Sequence, residues 1–221
     1  MPTVLVTGAN RGIGLEYCQQ LTQRGDQVIA VCRNSSSELE GLGVRIEAGL
    51  ELTTEADLDE LRRRLDGLPL DWLILNAGIL ETNRLDDLDT DSIRRQFEVN
   101  ALAPLRMVAA LLPQLHRGSK LALMTSRMGS IDDNTSGGSY GYRMSKVALN
   151  MAGRSLALDL RPRGIAVAIL HPGFVSTRMV NFNPQGISAE QAVRGLLARI
   201  DALSLETSGT FWHANGEVLP W

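Results

Sequence analysis

A tyrosine and a lysine four residues apart are the side chains of this sequence best suited to moving a proton. Tyr142 and Lys146 lie in Ser139–Leu160, a segment that we predict to be helical, where positions i and i+4 share a face. A phenol has an ordinary pKa of about 10, and a nearby ammonium group favours the phenolate and lowers that value. The spacing therefore predicts a tyrosine able to exchange a proton near neutral pH, although the same pair also occurs on plain helix surfaces.

A glycine-rich segment after the first predicted strand could bind the phosphates of a dinucleotide. Residues 7–14 read TGANRGIG and lie between the apolar run Thr3–Val6 and a predicted helix. Gly8 permits a tight turn, Gly12 lets the backbone approach a pyrophosphate, and Gly14 lets the helix pack on the strand. Free N–H groups at the helix start would face the phosphates. This context predicts nucleotide binding rather than a plain tight turn.

The end of the second predicted strand indicates which dinucleotide would bind. NAD-binding proteins usually have an acidic residue there for the ribose 2′-hydroxyl, whereas residues 31–34 of this chain read VCRN. Arg33 could pair with a 2′-phosphate, and Arg11 could reach the same place, because guanidinium groups present a fixed fork of donors. We therefore favour NADP over NAD; the alternative is that both arginines are solvated surface residues.

The elements that must position these groups follow from short apolar runs alternating with amphipathic stretches. The predicted strands are Thr3–Val6, Gln27–Cys32, Val44–Glu47, Leu70–Leu75, Lys120–Met124, Ile165–Leu170 and Gly209–Trp212. The predicted helices are Gly14–Arg24, Glu55–Leu65, Asp91–Leu115, Ser139–Leu160 and Ser188–Ala202. Apolar strands separated by helices indicate a doubly wound α/β architecture, a mostly parallel sheet of about seven strands with helices on both faces.

We expect one Rossmann domain over residues 1–221, with ligands outside the carboxyl ends of its strands. The loops 79–90, 127–139 and 174–188 are therefore predicted to form the substrate site. Within the last of these, Phe174, Met179 and Phe182 could close over a substrate or pack as ordinary loop residues.

Composition argues against several other classes of protein. The chain has 22 basic and 25 acidic residues and a net charge of −3, so neither nucleic acid nor an anionic membrane is indicated as a partner. No apolar segment approaches the roughly 18 residues of a membrane helix, and no signal peptide is recognisable, so we expect a cytoplasmic protein. Cys18 and Cys32 are predicted to be buried free thiols. The three histidines are scattered without ligand spacing, so no metal site is expected.

Further motifs, in order along nearly the whole chain, resemble those of the classical short-chain dehydrogenases/reductases. They are the TGxxxGxG of Thr7–Gly14, the NAG of Asn76–Gly78, Ser126 after a strand, the YxxxK of Tyr142 and Lys146, and Pro172-Gly173 followed by Thr177. Within that family the chain is most similar to the small carbonyl-reductase-like and C-factor-like branch, through RMGSI at residues 127–131 and HPG at residues 171–173.

The resemblance implies an NADP(H)-dependent oxidoreductase acting on a small carbonyl or alcohol substrate. It implies catalytic roles for Asn100, Ser126, Tyr142 and Lys146, with Tyr142 as the general acid or base. The cofactor-binding positions are then Gly8, Asn10, Arg11, Gly12, Ile13, Gly14, Arg33, Leu52, Asn76, Ala77, Gly78, Tyr142, Lys146, Pro172, Gly173, Val175 and Thr177. It further implies a homodimer or homotetramer paired through the two longest predicted helices.

Two features depart from the family pattern. One is the spacing of sixteen residues between Ser126 and Tyr142, which is wider than the family's. The other lies where the adenine would bind. Glu51-Leu52-Thr53 occupies the place where the family often has an aspartate that contacts the adenine. Pro104 lies four residues after Asn100 and cannot donate a hydrogen bond to its carbonyl. We therefore expect a distorted helix there and a free carbonyl that could hold a water between Lys146 and solvent; a kink that merely aids packing is the alternative.

A different class of protein remains an alternative to an enzyme. A nucleotide-binding signalling or scaffold protein could keep the same fold without turnover. The presence of Asn100, Ser126, Tyr142 and Lys146 together argues against it, because a protein that only binds needs none of them.

Overall fold

Seven strands form one parallel sheet at the centre of the computed structural model, which describes residues 1–221. They are β1 (Thr3–Thr7), β2 (Gln27–Val31), β3 (Arg45–Glu47), β4 (Leu70–Leu75), β5 (Leu115–Met124), β6 (Ala166–His171) and β7 (Phe211–His213). Their order is β3-β2-β1-β4-β5-β6-β7, and every neighbouring pair is parallel. The direction of winding changes between β1 and β4, where such sheets open a crevice at their carboxyl edge. The predicted fold class is confirmed.

Seven α-helices cover the two faces of the sheet and divide the core into two layers. The helices are α1 (Gly12–Gln23), α2 (Ser37–Glu40), α3 (Glu55–Arg64), α4 (Thr90–Phe97), α5 (Ala103–Leu111), α6 (Tyr140–Leu160) and α7 (Ala189–Asp201). Along β1, Val4 and Val6 pack with the apolar residues of α1 and α7, whereas Leu5 packs with those of α3, α5 and α6. Because successive side chains of a strand point to opposite faces, strands covered on both sides are mostly apolar.

The predicted helix Asp91–Leu115 is wrong as a continuous element. Helix α4 ends at Phe97, and Glu98–Leu102 forms a π-helical turn in which the Ala103 N–H donates to the Glu98 carbonyl. The local distortion expected before Pro104 is therefore confirmed, since a π-helical turn inserts one extra residue into the helix. Asn100 lies in the middle of this turn. The free Asn100 carbonyl and its water stay a prediction.

The end of the same predicted helix is also wrong. A short 3₁₀ turn, Leu112–Gln114, follows α5, and Leu115 then begins β5 by pairing with Leu70. Pro113 cannot donate to the preceding turn, so it ends the helix there. Strand β5 thus begins five residues before the predicted Lys120. One short helix, α2, was not predicted, and it lies in a stretch that reads as a loop.

Two observations concern the chain as a whole. Cys18 and Cys32 are buried free thiols, as predicted. None of the helices combines the length and the apolar character that crossing a bilayer requires.

Candidate active site

A cleft of about 690 Å³ opens at the carboxyl edge of the sheet. It is lined by the turn between β1 and α1, the end of β2, the segment after β4, the first turns of α6 and the segment after β6. Most of the predicted positions line it, namely Gly8, Asn10, Arg11, Gly12, Ile13, Arg33, Leu52, Asn76, Ala77, Gly78, Tyr142, Lys146, Pro172 and Thr177. The others do not form its wall: Gly14, Asn100, Ser126, Gly173 and Val175. Met179 and Phe182 line the cleft as well, whereas Phe174, which was grouped with them, does not.

The glycine turn is held against the segment after β4. Gly8 and Gly12 adopt positive φ angles of 65° and 55°, which favour glycine. A Cβ at Gly14 would lie 2.2 Å from the Gly8 carbonyl oxygen, so this glycine serves the packing of α1 on the turn. The Thr7 hydroxyl accepts hydrogen bonds from the N–H groups of Asn76 and Ala77, both at 3.0 Å. The two backbone segments that could flank a dinucleotide are thereby fixed to each other.

Arg33 and Glu51 form an ion pair at the β2 end of the cleft. The Arg33 Nη1 lies 3.2 Å from the Glu51 Oε2, and the two side chains are 65% and 41% exposed. The Thr53 hydroxyl donates to the other carboxylate oxygen at 3.2 Å. Exposed Arg11 lines the same cleft. Arg33 and Glu51 are 18 residues apart in the sequence, and the structure makes the acid the partner of the candidate phosphate-binding arginine.

Tyr142 and Lys146 meet on the buried side of the first turns of α6, as predicted. Their side chains are almost fully buried. The Lys146 Nζ lies 5.6 Å from the centroid of the Tyr142 ring and donates a hydrogen bond to the Met124 carbonyl at 2.9 Å. Ser126, two residues beyond the end of β5, is buried beside them, and its hydroxyl accepts the Met128 N–H at 3.1 Å. Three of the four predicted catalytic side chains thus converge at the end of β5.

Burial, rather than the neighbouring charge, dominates the protonation of this pair. It raises the pKa of Tyr142 to about 12, and a hydrogen bond with Ser126 only partly opposes that rise. It also lowers the pKa of Lys146 to about 8. The expectation that Lys146 brings the tyrosine pKa below its ordinary value is therefore wrong for the protein alone. At neutral pH the phenol keeps its proton.

Asn100 is fully buried, and its side chain ties the segment after β4 to α6. Its amide accepts the Ile79 N–H and donates to the Ile79 carbonyl, both at 2.9 Å, and it donates to the Ser145 hydroxyl at 3.0 Å. Ser145 in turn donates to the Tyr142 carbonyl at 2.8 Å. A Cβ at Gly78 would lie 3.1 Å from the Asn100 Oδ1 and 3.6 Å from the Lys146 Nζ. The fourth predicted catalytic residue is therefore close to Lys146, behind the cleft wall.

Sequence reasoning missed several polar residues next to this site. Ser145 is one of them, and Asn83, Ser92 and Gln96 form a second buried group beside the first turn of α6. A weak signal existed for two of them, because Ser92 and Gln96 are four residues apart and share one face of a helix. No group of three or more His, Cys, Asp or Glu side chains is arranged to hold a metal ion.

Comparison with known proteins defines the family. A model of the short chain dehydrogenase family matches residues 2–187. The chain is 43% identical over 226 residues to the 1-hydroxy-2-glutathionyl-2-methyl-3-butene dehydrogenase of Rhodococcus sp. (strain AD45), with 100% of each chain covered. It is 47% identical over 156 residues to the C-signal protein of Myxococcus xanthus, covering 69% of this chain and 93% of that one.

A solved structure gives the same result at the level of the fold. The NADPH-bound carbonyl reductase from chicken fatty liver superposes with a TM-score of 0.90 at 32% identity, over 100% of this chain and 99% of that chain. The chain therefore belongs to the short-chain dehydrogenase family, and its predicted likeness to the carbonyl-reductase-like and C-factor-like branch is confirmed.

Proposed function

We propose that this chain is an NADP(H)-dependent oxidoreductase that interconverts carbonyl and alcohol groups, with Tyr142 as its general acid. The observation that carries this proposal is the convergence of buried Tyr142, Lys146 and Ser126 at the end of β5, beside a cleft whose other end holds the glycine turn. A protein that only bound a nucleotide would need the glycine turn but not this set of proton-handling groups.

The residues of the cleft fit a phosphorylated dinucleotide. Gly8 and Gly12 leave bare backbone along the wall, where N–H groups at the start of α1 could receive a pyrophosphate. Arg33 and Arg11 offer guanidinium donors for a 2′-phosphate, and no acid follows β2 directly. Support also comes from the chicken carbonyl reductase, whose structure contains NADPH. When bound, the cofactor supplies the hydride that reduces the substrate carbon.

In the protein alone, Tyr142 is in the protonated form that a general acid needs in carbonyl reduction. Because burial raises the pKa of Tyr142 to about 12, its hydroxyl is protonated at neutral pH and can donate to the developing alkoxide oxygen. Ser126 is placed to hydrogen-bond the same oxygen. The ammonium of Lys146 stabilises the phenolate left behind, and a proton from solvent then restores the phenol. Asn100 holds Ile79 and Ser145 around this pair.

Partly exposed apolar side chains that line the cleft could form the substrate site. Met179 and Phe182 line it and are 46% and 67% exposed, so they leave apolar surface for a ligand to cover. The Rhodococcus relative is by name a dehydrogenase of a hydroxyl compound that carries a glutathionyl group. We therefore include primary alcohols with a neighbouring thioether among the candidate substrates.

We also propose that the chain forms a homodimer through α6. Met144, Met151 and Leu158 recur every seven residues along it and are each more than half exposed. Helix α4 packs beside α6, and Phe97 at its end is 38% exposed. An exposed apolar stripe of this length on a helix pair is typical of an interface between subunits.

The experiment that tests the proposed function is a turnover screen in both directions. NADPH oxidation is measured with aldehydes, ketones, quinones and steroids, and NADP⁺ reduction with alcohols, including glutathione conjugates. NADPH binding is measured separately. We expect turnover with a subset of these compounds and a preference for NADPH over NADH. Tight NADPH binding without turnover of any compound would instead favour the signalling or scaffold alternative.

A further inference from the structure

Helix α6, which carries Tyr142 in its first turn, has no N-cap side chain of its own. Ser139 precedes it in the left-handed region, with φ 47°, and its hydroxyl caps no N–H group of the helix. The first N–H groups of a helix lack partners within the helix and need acceptors from elsewhere. Here Asn83 supplies them, from the loop between β4 and α4. Its Oδ1 accepts the Gly141 N–H at 3.2 Å, and its carbonyl accepts the Ser139 N–H at 3.0 Å.

A buried amide pair fixes the orientation of Asn83. Its Nδ2 donates to the Ser92 hydroxyl at 3.1 Å, and its Oδ1 also accepts the Gln96 Nε2 at 3.1 Å. Gln96 is itself bound at both ends, because its Nε2 donates to the Glu81 carbonyl at 3.1 Å and its Oε1 accepts the Glu81 N–H at 3.0 Å. Asn83 and Gln96 are 2% and 0% exposed. Water therefore does not compete for these bonds, and the acceptor oxygen of Asn83 must face α6.

A glycine makes this approach possible. A Cβ at Gly141 would lie 2.7 Å from the Asn83 Oδ1 and 2.6 Å from the Gln96 Nε2, so no larger residue fits without moving the amides. Gly141 directly precedes Tyr142. Gln96 bonds to the backbone of Glu81, and Asn100 bonds to the backbone of Ile79. Both Glu81 and Ile79 line the cleft. One hydrogen-bonded unit thus joins a wall of the cleft to the backbone that carries the tyrosine.

We propose that Asn83 is a positioning residue: it caps α6 from the loop that lines the cleft and so holds the Tyr142 hydroxyl at a fixed place relative to the substrate. This inference rests on the proposed function for its effect on turnover. Proton transfer requires hydrogen-bond reach, and a displacement of about 1 Å can cost on the order of a hundredfold in rate. Helix ends fray when their caps are removed. Loss of the Asn83 oxygen therefore acts on the rate of the chemical step rather than on cofactor binding.

The test compares Asn83→Ala, Asn83→Asp and Ser92→Ala. Asn83→Ala removes the side-chain oxygen that accepts the Gly141 N–H and keeps only the carbonyl that accepts the Ser139 N–H. Asn83→Asp keeps a side-chain oxygen for Gly141, and the Ser92 hydroxyl can turn to donate to the other carboxylate oxygen. Ser92→Ala is the matched control, because it removes a buried partner of Asn83 without touching α6 directly. We expect kcat to fall by about tenfold or more in Asn83→Ala, to return to within about threefold in Asn83→Asp, and to stay within about threefold in Ser92→Ala. The Kd for NADPH should be unchanged in all three.

Amide hydrogen exchange at Gly141, whose N–H bonds to the side-chain oxygen of Asn83, gives a second measurement that needs no substrate. Exchange should accelerate in Asn83→Ala and not in Ser92→Ala. If the wild-type protein shows no turnover, the proposed function fails, while the exchange measurement still decides whether Asn83 caps α6. The inference is overturned if Asn83→Ala loses no more kcat than Ser92→Ala, or if exchange at Gly141 does not change. Asn83→Ser, whose hydroxyl is too short to reach Gly141, replaces Asn83→Ala if that variant does not fold.

Discussion

Replacing Lys146 by methionine should stabilise the fold while it abolishes turnover. Lys146 is 4% exposed, and the one hydrogen bond of its ammonium within the protein, to the Met124 carbonyl, does not offset the loss of water. Burial lowers the pKa of Lys146 from 10.5 to about 8. At about 1.4 kcal/mol per pH unit, this displacement corresponds to a cost of about 3 kcal/mol when the group is charged. A methionine of similar shape avoids that cost.

The expected gain is smaller than this cost, because the Met124 carbonyl loses its donor. A hydrogen bond to a charged group contributes about 1.5–3 kcal/mol, so Lys146→Met should raise the free energy of unfolding at pH 7 by about 1 kcal/mol. The sign of the pH dependence follows from linkage. Between pH 8 and pH 10.5 the unfolded wild-type protein binds more protons than the folded one, so wild-type stability rises with pH in that window. The free energy of unfolding of Lys146→Met, taken relative to that of the wild-type protein, should therefore fall by about 2 kcal/mol between pH 7 and pH 9.5.

Urea unfolding of both proteins at pH 7 and pH 9.5 measures this difference. Arg154→Met, which removes an exposed cation from the same helix, should change the unfolding free energy little and equally at both pH values. A difference between Lys146→Met and the wild-type protein that does not vary with pH would refute the reasoning. It would mean that burial does not displace the Lys146 titration.

Three further predictions concern the cofactor, the core and the subunit interface. Glu51→Gln should tighten NADPH binding about threefold and leave NADH binding unchanged, because it frees Arg33 and removes a negative charge near the 2′-phosphate; titration by fluorescence measures both affinities. Gly153→Ala should lower the free energy of unfolding by about 1–3 kcal/mol in urea, since its Cβ would lie 2.7 Å from the Ile169 Cγ1. Met151→Lys should shift the protein from dimer to monomer in sedimentation experiments, and a wild-type monomer would contradict the proposed interface.

Much of the fold could be predicted because strands covered on both faces are mostly apolar. Leu70–Leu75 was predicted with the bounds that the structure has, since five of its six residues are buried and apolar, with Asp71 as the exception. Leu115 could not be placed, because the start of β5 is exposed on several positions and lacks that continuous apolar signal. Its pairing with Leu70 depends on the register of the sheet, which no local pattern of residues contains.

In the candidate site, too, some residues could be predicted from local sequence and others could not. Gly8 and Tyr142 could be found because local spacing constrains them, through a tight turn and a helix face. The cap that Asn83 provides joins residues 58 positions apart in the sequence. The pairing of Arg33 with Glu51 likewise requires the end of β2 to lie beside the segment after β3. The direction of the Tyr142 pKa could not be predicted either, because it depends on how deeply the side chain is buried.

The central claim is that Tyr142 donates the proton in a carbonyl reduction. Single-turnover oxidation of NADPH by a carbonyl substrate, in the wild-type protein and in Tyr142→Phe, tests it most directly when the Kd for NADPH is measured alongside. We expect the variant to bind NADPH with the affinity of the wild-type protein and to lose at least about a hundredfold in rate, in line with the usual contribution of general acid catalysis. An undiminished rate in Tyr142→Phe, with intact cofactor binding, would contradict the account.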